Sequence, residues 1–213
     1  MFRRRTLPWL LAAVLCAACG SSPASPTAAD PLPPPKRVAV LGDSLAVTPT
    51  LEQSFPARLQ ARVDGQGLRW TVVNAGVFGD TTADGLRRES QVFTSDTAVL
   101  VLELGANDGI RGIPTATTTA NLSAIVADAQ RRNVRVLLCG METFPTYGFD
   151  YALAFHAIFP NVARNASVPL VPFLLEGIAL NPAFTGPDGV HPNATGAERI
   201  ADTVWPYLLP LLQ

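Results

Sequence analysis

The chain has 213 residues, a formal net charge of −1 and 48 % hydrophobic residues. That length suits one domain with a sizeable core. Charge is spread along the sequence without a basic patch, which argues against a nucleic-acid partner.

The chain opens with Arg3, Arg4 and Arg5, then an apolar run from Leu7 to Cys19. The run is too short to cross a bilayer and fits the apolar region of a secretory signal peptide. Residues 1–19 are therefore set apart from the fold. The run ends in "LCAACG", where Ala17 and Ala18 before Cys19 resemble a bacterial lipoprotein box. That resemblance implies lipid on Cys19, membrane association through the anchor, and a place in the bacterial cell envelope. Cys16 stands where that box usually has Leu, Val or Ile, so the alternative is nearby cleavage and a soluble periplasmic or secreted protein. Cys16 and Cys19 also match C-x-x-C, but within an apolar leader that spacing is a poor redox motif. Residues 20–35 are rich in Pro, Ser and Ala and read as a linker. At about 3.1 Å per residue in polyproline II, its stretch 21–35 reaches roughly 45 Å.

The domain is expected over 36–213. A first apolar run, Val38–Leu41, enters Gly42-Asp43-Ser44. Phe55, Leu59 and Val63 then recur with helical spacing. A second strand, Trp70–Asn74, enters "NAGVFGD", and a third, Ala98–Leu104, enters "GAND". Leu122, Ile125, Val126 and Ala129 mark a helix. A fourth strand, Val134–Cys139, enters "METFPTY", and its Cys139 reads as a buried free thiol. The mature domain is thus expected to have no disulfide. Ala152–Ala163 reads as a helix carrying His156, which has no nearby partner pattern and reads as a surface or half-buried helix histidine, and Leu170–Leu174 as a fifth strand. After the loop "GPDGVHPN" comes a last helix, Ala197–Leu212, ending loosely around Pro206 and Pro210. Val- and Leu-rich strands that alternate with helices predict an α/β fold. Its form is a three-layer α/β/α sandwich around a five-stranded parallel sheet.

Sites in such sheets form beyond the carboxyl ends of the strands, where these polar and glycine-rich clusters fall. Ser44 is a candidate nucleophile at the end of the first strand. Asp188, three residues before His191, can hold the imidazole and leave its other nitrogen to take a proton. Pro192 limits the backbone of His191 to extended conformations. Ser44 N–H, Gly79 N–H and the Asn107 side-chain amide are candidate donors to an oxyanion. Asp43 reads as a holder of the turn, and Asn74 as a support behind the site. The chain offers too few His and Cys ligands for an ordinary zinc site, so neither metal nor cofactor is expected.

Together, Ser44, Gly79, Asn107 and His191, with Asp188 at D-x-x-H, resemble the SGNH (GDSL) hydrolases. The branch most resembled is that of bacterial thioesterase I, lysophospholipase and arylesterase. The motifs "LGDSL", "VVNAGVFGDTT", "LELGANDGIRG" and "DGVHPN" carry that likeness, over about 37–212. The resemblance implies a flavodoxin-like fold and metal-free hydrolysis of small-molecule acyl esters, lysophospholipids or thioesters through an acyl-enzyme. Phe144, Tyr147 and Phe149 are candidate contacts for the acyl chain. A carbohydrate deacetylase on the same fold and a non-catalytic lipid-binding lipoprotein are the alternatives.

Overall fold

The computed structural model describes residues 34–213. The signal segment, the lipidation candidate Cys19 and nearly all of the linker lie outside the described residues. The strands are β1 (Lys36–Gly42), β2 (Trp70–Asn74), β3 (Thr97–Glu103), β4 (Arg135–Cys139) and β5 (Leu170–Val171). They form one parallel sheet in the order β2-β1-β3-β4-β5. Val38, Val40, Leu41 and Val99–Leu102 are wholly buried, as expected for strands covered on both faces.

The helices are α1 (Ser44–Val47), α2 (Phe55–Gly65), α3 (Thr82–Val92), α4 (Ala106–Ile110), α5 (Thr115–Arg131), α6 (Phe149–His156), α7 (Ile158–Ala166) and α8 (Ala194–Leu212). Helices α2 and α8 pack together, while α3, α5 and α7 pack in series. The chain runs from β1 outward to β2, then crosses back to β3 on the other side of β1. Connections leaving β1 and β3 therefore diverge, and a crevice opens at their carboxyl ends. Register places Gly42 beside Glu103, so both strands end at the same level.

Four local expectations change. The fifth strand stops at Val171, because Pro172 has no N–H to extend the ladder. The helix expected over Ala152–Ala163 is two helices broken at Ala157, which puts Pro160 in the first turn of α7, where its missing N–H is harmless. Helix α8 continues through Pro206 and Pro210. Both prolines are exposed, so water can reach the carbonyls they leave unbonded, while Val204, Leu208 and Leu212 anchor the opposite side in the core. Helix α3 has only Thr82, Gly85 and Val92 buried, too thin an apolar pattern to announce it. A capping box between Thr81 and Asp84 starts it.

Gly140, just beyond β4, lies so close to the turn after β5 that an added methyl would overlap the carbonyl oxygen of Pro172. Its N–H donates to Val171 O at 2.8 Å and its carbonyl accepts from Leu174 N at 2.9 Å. Gly140→Ala is expected to cost about 1–3 kcal/mol through overpacking. Urea denaturation should show a lower midpoint with an unchanged m-value.

Candidate active site

Strand β1 delivers Gly42 against Glu103, and no side chain but glycine's hydrogen fits beside that carboxyl group. The next residue, Asp43, is fully buried. Its N–H donates to Glu103 Oε2 at 3.2 Å. Its Oδ1 accepts from Leu45 N at 3.0 Å, which turns the chain into α1. Its Oδ2 accepts from the Asn107 amide at 3.1 Å. Burial pushes the Asp43 carboxyl up to about 6, and the hydrogen bonds from Leu45 and Asn107 oppose that rise. Glu103, also fully buried, is driven well above the ordinary carboxyl range by burial first and then by the adjacent Asp43. Its Oε1 has no hydrogen-bond partner. Burial thus favours the neutral form of Glu103 under the turn.

Ser44 opens α1, a single turn of four residues, so its individual N–H groups matter more here than any helix dipole. The Ser44 hydroxyl lies 2.8 Å from His191 Nε2. His191 Nδ1 lies 2.6 Å from Asp188 Oδ2. Asp188 Oδ1 accepts from the N–H groups of Val190 and His191, both at 3.0 Å, so the loop folds around its own carboxylate. The hydrogen bond with His191, joined by those backbone donors, lowers the Asp188 carboxyl to about 2. Gly186 N–H donates to His191 O at 2.8 Å, pinning the loop across its base.

Gly79 has φ +77°, a left-handed conformation that favours glycine. Arg111 holds the Gly79 carbonyl at 2.8 Å. The N–H groups of Ser44 and Gly79 donate to no protein acceptor among the described residues. The Asn107 amide donates to Asp80 O at 3.0 Å as well as to Asp43. Arg88, on α3, ties this region together. Its guanidinium donates to Asp80 Oδ2 at 2.6 Å, Ala75 O at 2.6 Å and Gly42 O at 2.9 Å. Asn74 supports the turn from below, donating to Ala46 O at 2.7 Å and accepting from Gly76 N at 2.9 Å.

Beside this cluster is a cavity of about 130 Å³, lined mainly by apolar side chains that include Ile110, Met141, Phe144, Phe173, Leu175 and Val190. Phe144 lines it. Tyr147 and Phe149 do not; the Tyr147 hydroxyl donates to Ile110 O at 3.3 Å, and Phe149 is 81 % exposed. His156 is exposed at the end of α6, as expected of a helix histidine, and its Nδ1 lies 2.5 Å from Oε1 of Glu142, which lines the cavity. Those residues are 14 apart, Glu142 beyond the end of β4 and His156 at the end of α6, so no local pattern reveals the pair. No group of three or more His, Cys, Asp or Glu among the described residues is arranged to hold a metal ion.

The GDSL-like lipase/acylhydrolase family model matches residues 40–199. The chain belongs to that family. Esterase TesA of Pseudomonas aeruginosa is 38 % identical over 81 % of this chain and 88 % of its own length. Thioesterase 1/protease 1/lysophospholipase L1 of Escherichia coli is 37 % identical over 81 % of this chain and 83 % of its own. The crystal structure of TesA matches with a TM-score of 0.78 and 36 % identity, over 83 % of this chain and 99 % of that one.

Two parts of this GDSL hydrolase site escape a reading by motif. Glu103 leaves a trace, an acid at the end of an otherwise apolar strand. Arg88 leaves none, because it reaches the site from a helix with almost no apolar face. The raised carboxyl of Glu103 gives a pH test. The native protein keeps Glu103 protonated where the unfolded chain ionises it, so wild-type stability falls as pH rises between the two values. Glu103→Gln keeps an acceptor for Asp43 N–H and cannot ionise. Its Tm should therefore gain on wild type as pH rises from 4 to 8, by roughly a few degrees per kcal/mol. Parallel curves of Tm against pH would mean that Glu103 is not held neutral.

Proposed function

We propose that Ser44, His191 and Asp188 hydrolyse acyl esters through a covalent acyl-enzyme. The chain is a hydrolase of the GDSL family that acts on small-molecule esters. The observation that carries the mechanism is the continuous hydrogen-bonded line from Ser44 Oγ through the His191 ring to Asp188. His191 Nε2 takes the proton as Ser44 Oγ bonds to the acyl carbon. Asp188 stays ionised down to about pH 2, so it fixes the tautomer and stabilises the imidazolium. His191 then protonates the leaving alcohol or thiol as its bond to carbon breaks. Water, deprotonated by His191, releases the acid and restores Ser44.

The oxyanion is stabilised by the N–H groups of Ser44 and Gly79 and by the Asn107 amide. Asp43 is a positioning residue that keeps one amide hydrogen of Asn107. The oxyanion competes with the neutral Asp80 carbonyl for the other. A charged acceptor wins that competition more decisively than the neutral substrate carbonyl does, so the contact favours the transition state. The apolar cavity fits an acyl chain, and this favours ester or thioester hydrolysis over sugar deacetylation. Phe144 limits the chain length. Candidate substrates are aryl esters, lysophospholipids and acyl thioesters. The leader at 1–19 and the linker at 20–35 support an enzyme anchored through Cys19 in the bacterial cell envelope, with the domain from 36 onward attached through the linker. No described helix is long and apolar enough to cross a membrane.

Ser44→Ala is expected to lose several orders of magnitude in kcat while remaining folded. Asn107→Ala should lose about 10²–10³ in kcat with little change in KM. Turnover by folded Ser44→Ala close to wild type would reject the nucleophile. Across p-nitrophenyl esters of rising acyl length, Phe144→Ala should shift the optimum to longer chains, because each buried CH₂ contributes about 0.8 kcal/mol. An unchanged optimum would remove Phe144 from the acyl pocket.

A further inference from the structure

Exposed apolar side chains are usually scattered and need no explanation. Here they are segregated. Among the described residues, every large apolar side chain that stays exposed, Tyr207 excepted, follows the carboxyl end of a strand. Leu51 follows β1, Phe78 follows β2, Ile110 follows β3, and Leu180 follows β5. After β4 come Phe149 and, one helical turn later on the same side of α6, Leu153, 81 % and 70 % exposed. Ile110 lines the cavity, Phe78 lies 6.3 Å from the His191 ring, and Leu180 N–H donates to Gly189 O in the loop that carries His191. Part of this apolar rim, Ile110, Phe78 and Leu180, thus lies beside the site. The amino edge of the sheet is built differently. There Arg132 lies over Phe93 at 5.4 Å, and Lys36 and Arg135 lie over Trp70 at 5.7 and 5.6 Å, covering the rings with charged side chains.

We propose that this rim docks the enzyme on a zwitterionic phospholipid surface, from which an acyl ester enters the cavity without passing through water. The proposal rests on the esterase reading for its substrate but not for its docking. Charge selects the kind of surface. In the loops and first helical turns that carry these side chains, the exposed charges are Glu52, Glu142, Asp150, Glu176 and Asp188 against Arg111 and, two turns into α3, Arg87. An acidic rim is repelled by an anionic surface and tolerated by a zwitterionic one. A second copy of the chain is a poor occupant, because two acidic rims would face each other and close both cavities. The tether also permits docking. The domain is about 40 Å across for its length, and the linker reaches roughly 45 Å. A chain attached at Lys36, on the opposite edge, can therefore be anchored in the surface on which its rim rests.

The test compares two full-length chains that both carry Cys19→Ser, so their leaders are identical and neither receives lipid. One of them also carries Leu51→Ser and Leu153→Ser, neither of which touches the triad or the cavity. The reference should float with phosphatidylcholine vesicles, and float less when phosphatidylglycerol is in excess. The double variant should lose about tenfold or more in flotation, and in hydrolysis of an ester embedded in those vesicles, because two exposed leucines are removed from the contact with the surface. Both should hydrolyse p-nitrophenyl butyrate in vesicle-free buffer at rates within about twofold of each other, since surface changes away from the site act weakly. Equal flotation, tighter binding to anionic vesicles, or a dimer present in the reference and lost in the variant would overturn the proposal. A reference that floats but hydrolyses no ester would support docking and reject the esterase reading, so the two failures are distinguishable.

Discussion

A buried carboxylate joins two connections that arrive from different strands. Asp43 follows β1 and Asn107 follows β3, and the hydrogen bond between them fixes the candidate nucleophile turn relative to the candidate oxyanion donor. The bond works only if Asp43 is kept dry and aimed. Glu103 accepts its N–H from below, Leu45 donates to its other oxygen, and Gly42 leaves room for both. Two carboxyl groups this close cannot both ionise cheaply. Burial favours the neutral form of Glu103, while the Asp43 carboxyl, opposed by the hydrogen bonds from Leu45 and Asn107, is pushed up only to about 6. Replacing buried ionisable groups by apolar packing is often neutral or stabilising. A buried acid pair is retained where positioning matters more than stability.

The other half of the site is built locally. Asp188 and His191 are three residues apart and need only the turn that Asp188 itself organises. What carries them across 147 residues to Ser44 is the attachment of their loop to α8. The Asn193 side chain caps α8 by accepting from Gly196 N at 2.9 Å, and its amide donates to Ala183 O at 3.1 Å. Gly196 lets the helix start against the Phe184 carbonyl, where a methyl would overlap. Helix α8 is in turn held to α2 by Arg62, whose guanidinium meets Glu198 and Asp202, each at 2.6 Å. The separation between the candidate base and the candidate nucleophile is therefore set by helix packing over the sheet rather than by the loop.

The residues read in sequence as Ser44, Gly79, Asn107 and His191 were legible because a parallel sheet gathers whatever follows its strands. Apolar runs mark the strands, and polar clusters after them mark one edge. The buried supports were harder to see. Arg88 acts through a side chain that bonds two backbone carbonyls and a carboxylate, and no spacing in the sequence encodes such partners. The break at Ala157 and the unbroken course of α8 through Pro206 and Pro210 depend on which side of each helix meets the core, and tertiary packing decides that. Of the three aromatic residues expected to touch substrate, Phe144 lines the cavity, while Tyr147 packs its ring against Gly112. Composition marked the loop as aromatic, but the direction of each ring depends on contacts from the β3 connection.

The coupling between Asp43 and Asn107 is tested most directly by a double-mutant cycle on kcat with a soluble aryl ester. If Asp43 acts by holding the Asn107 amide, Asp43→Asn and Asn107→Ala each lower kcat. The double variant should then be no worse than the worse single one, with KM little changed throughout. Losses that multiply in the double variant would contradict the account, because the two residues would then act independently.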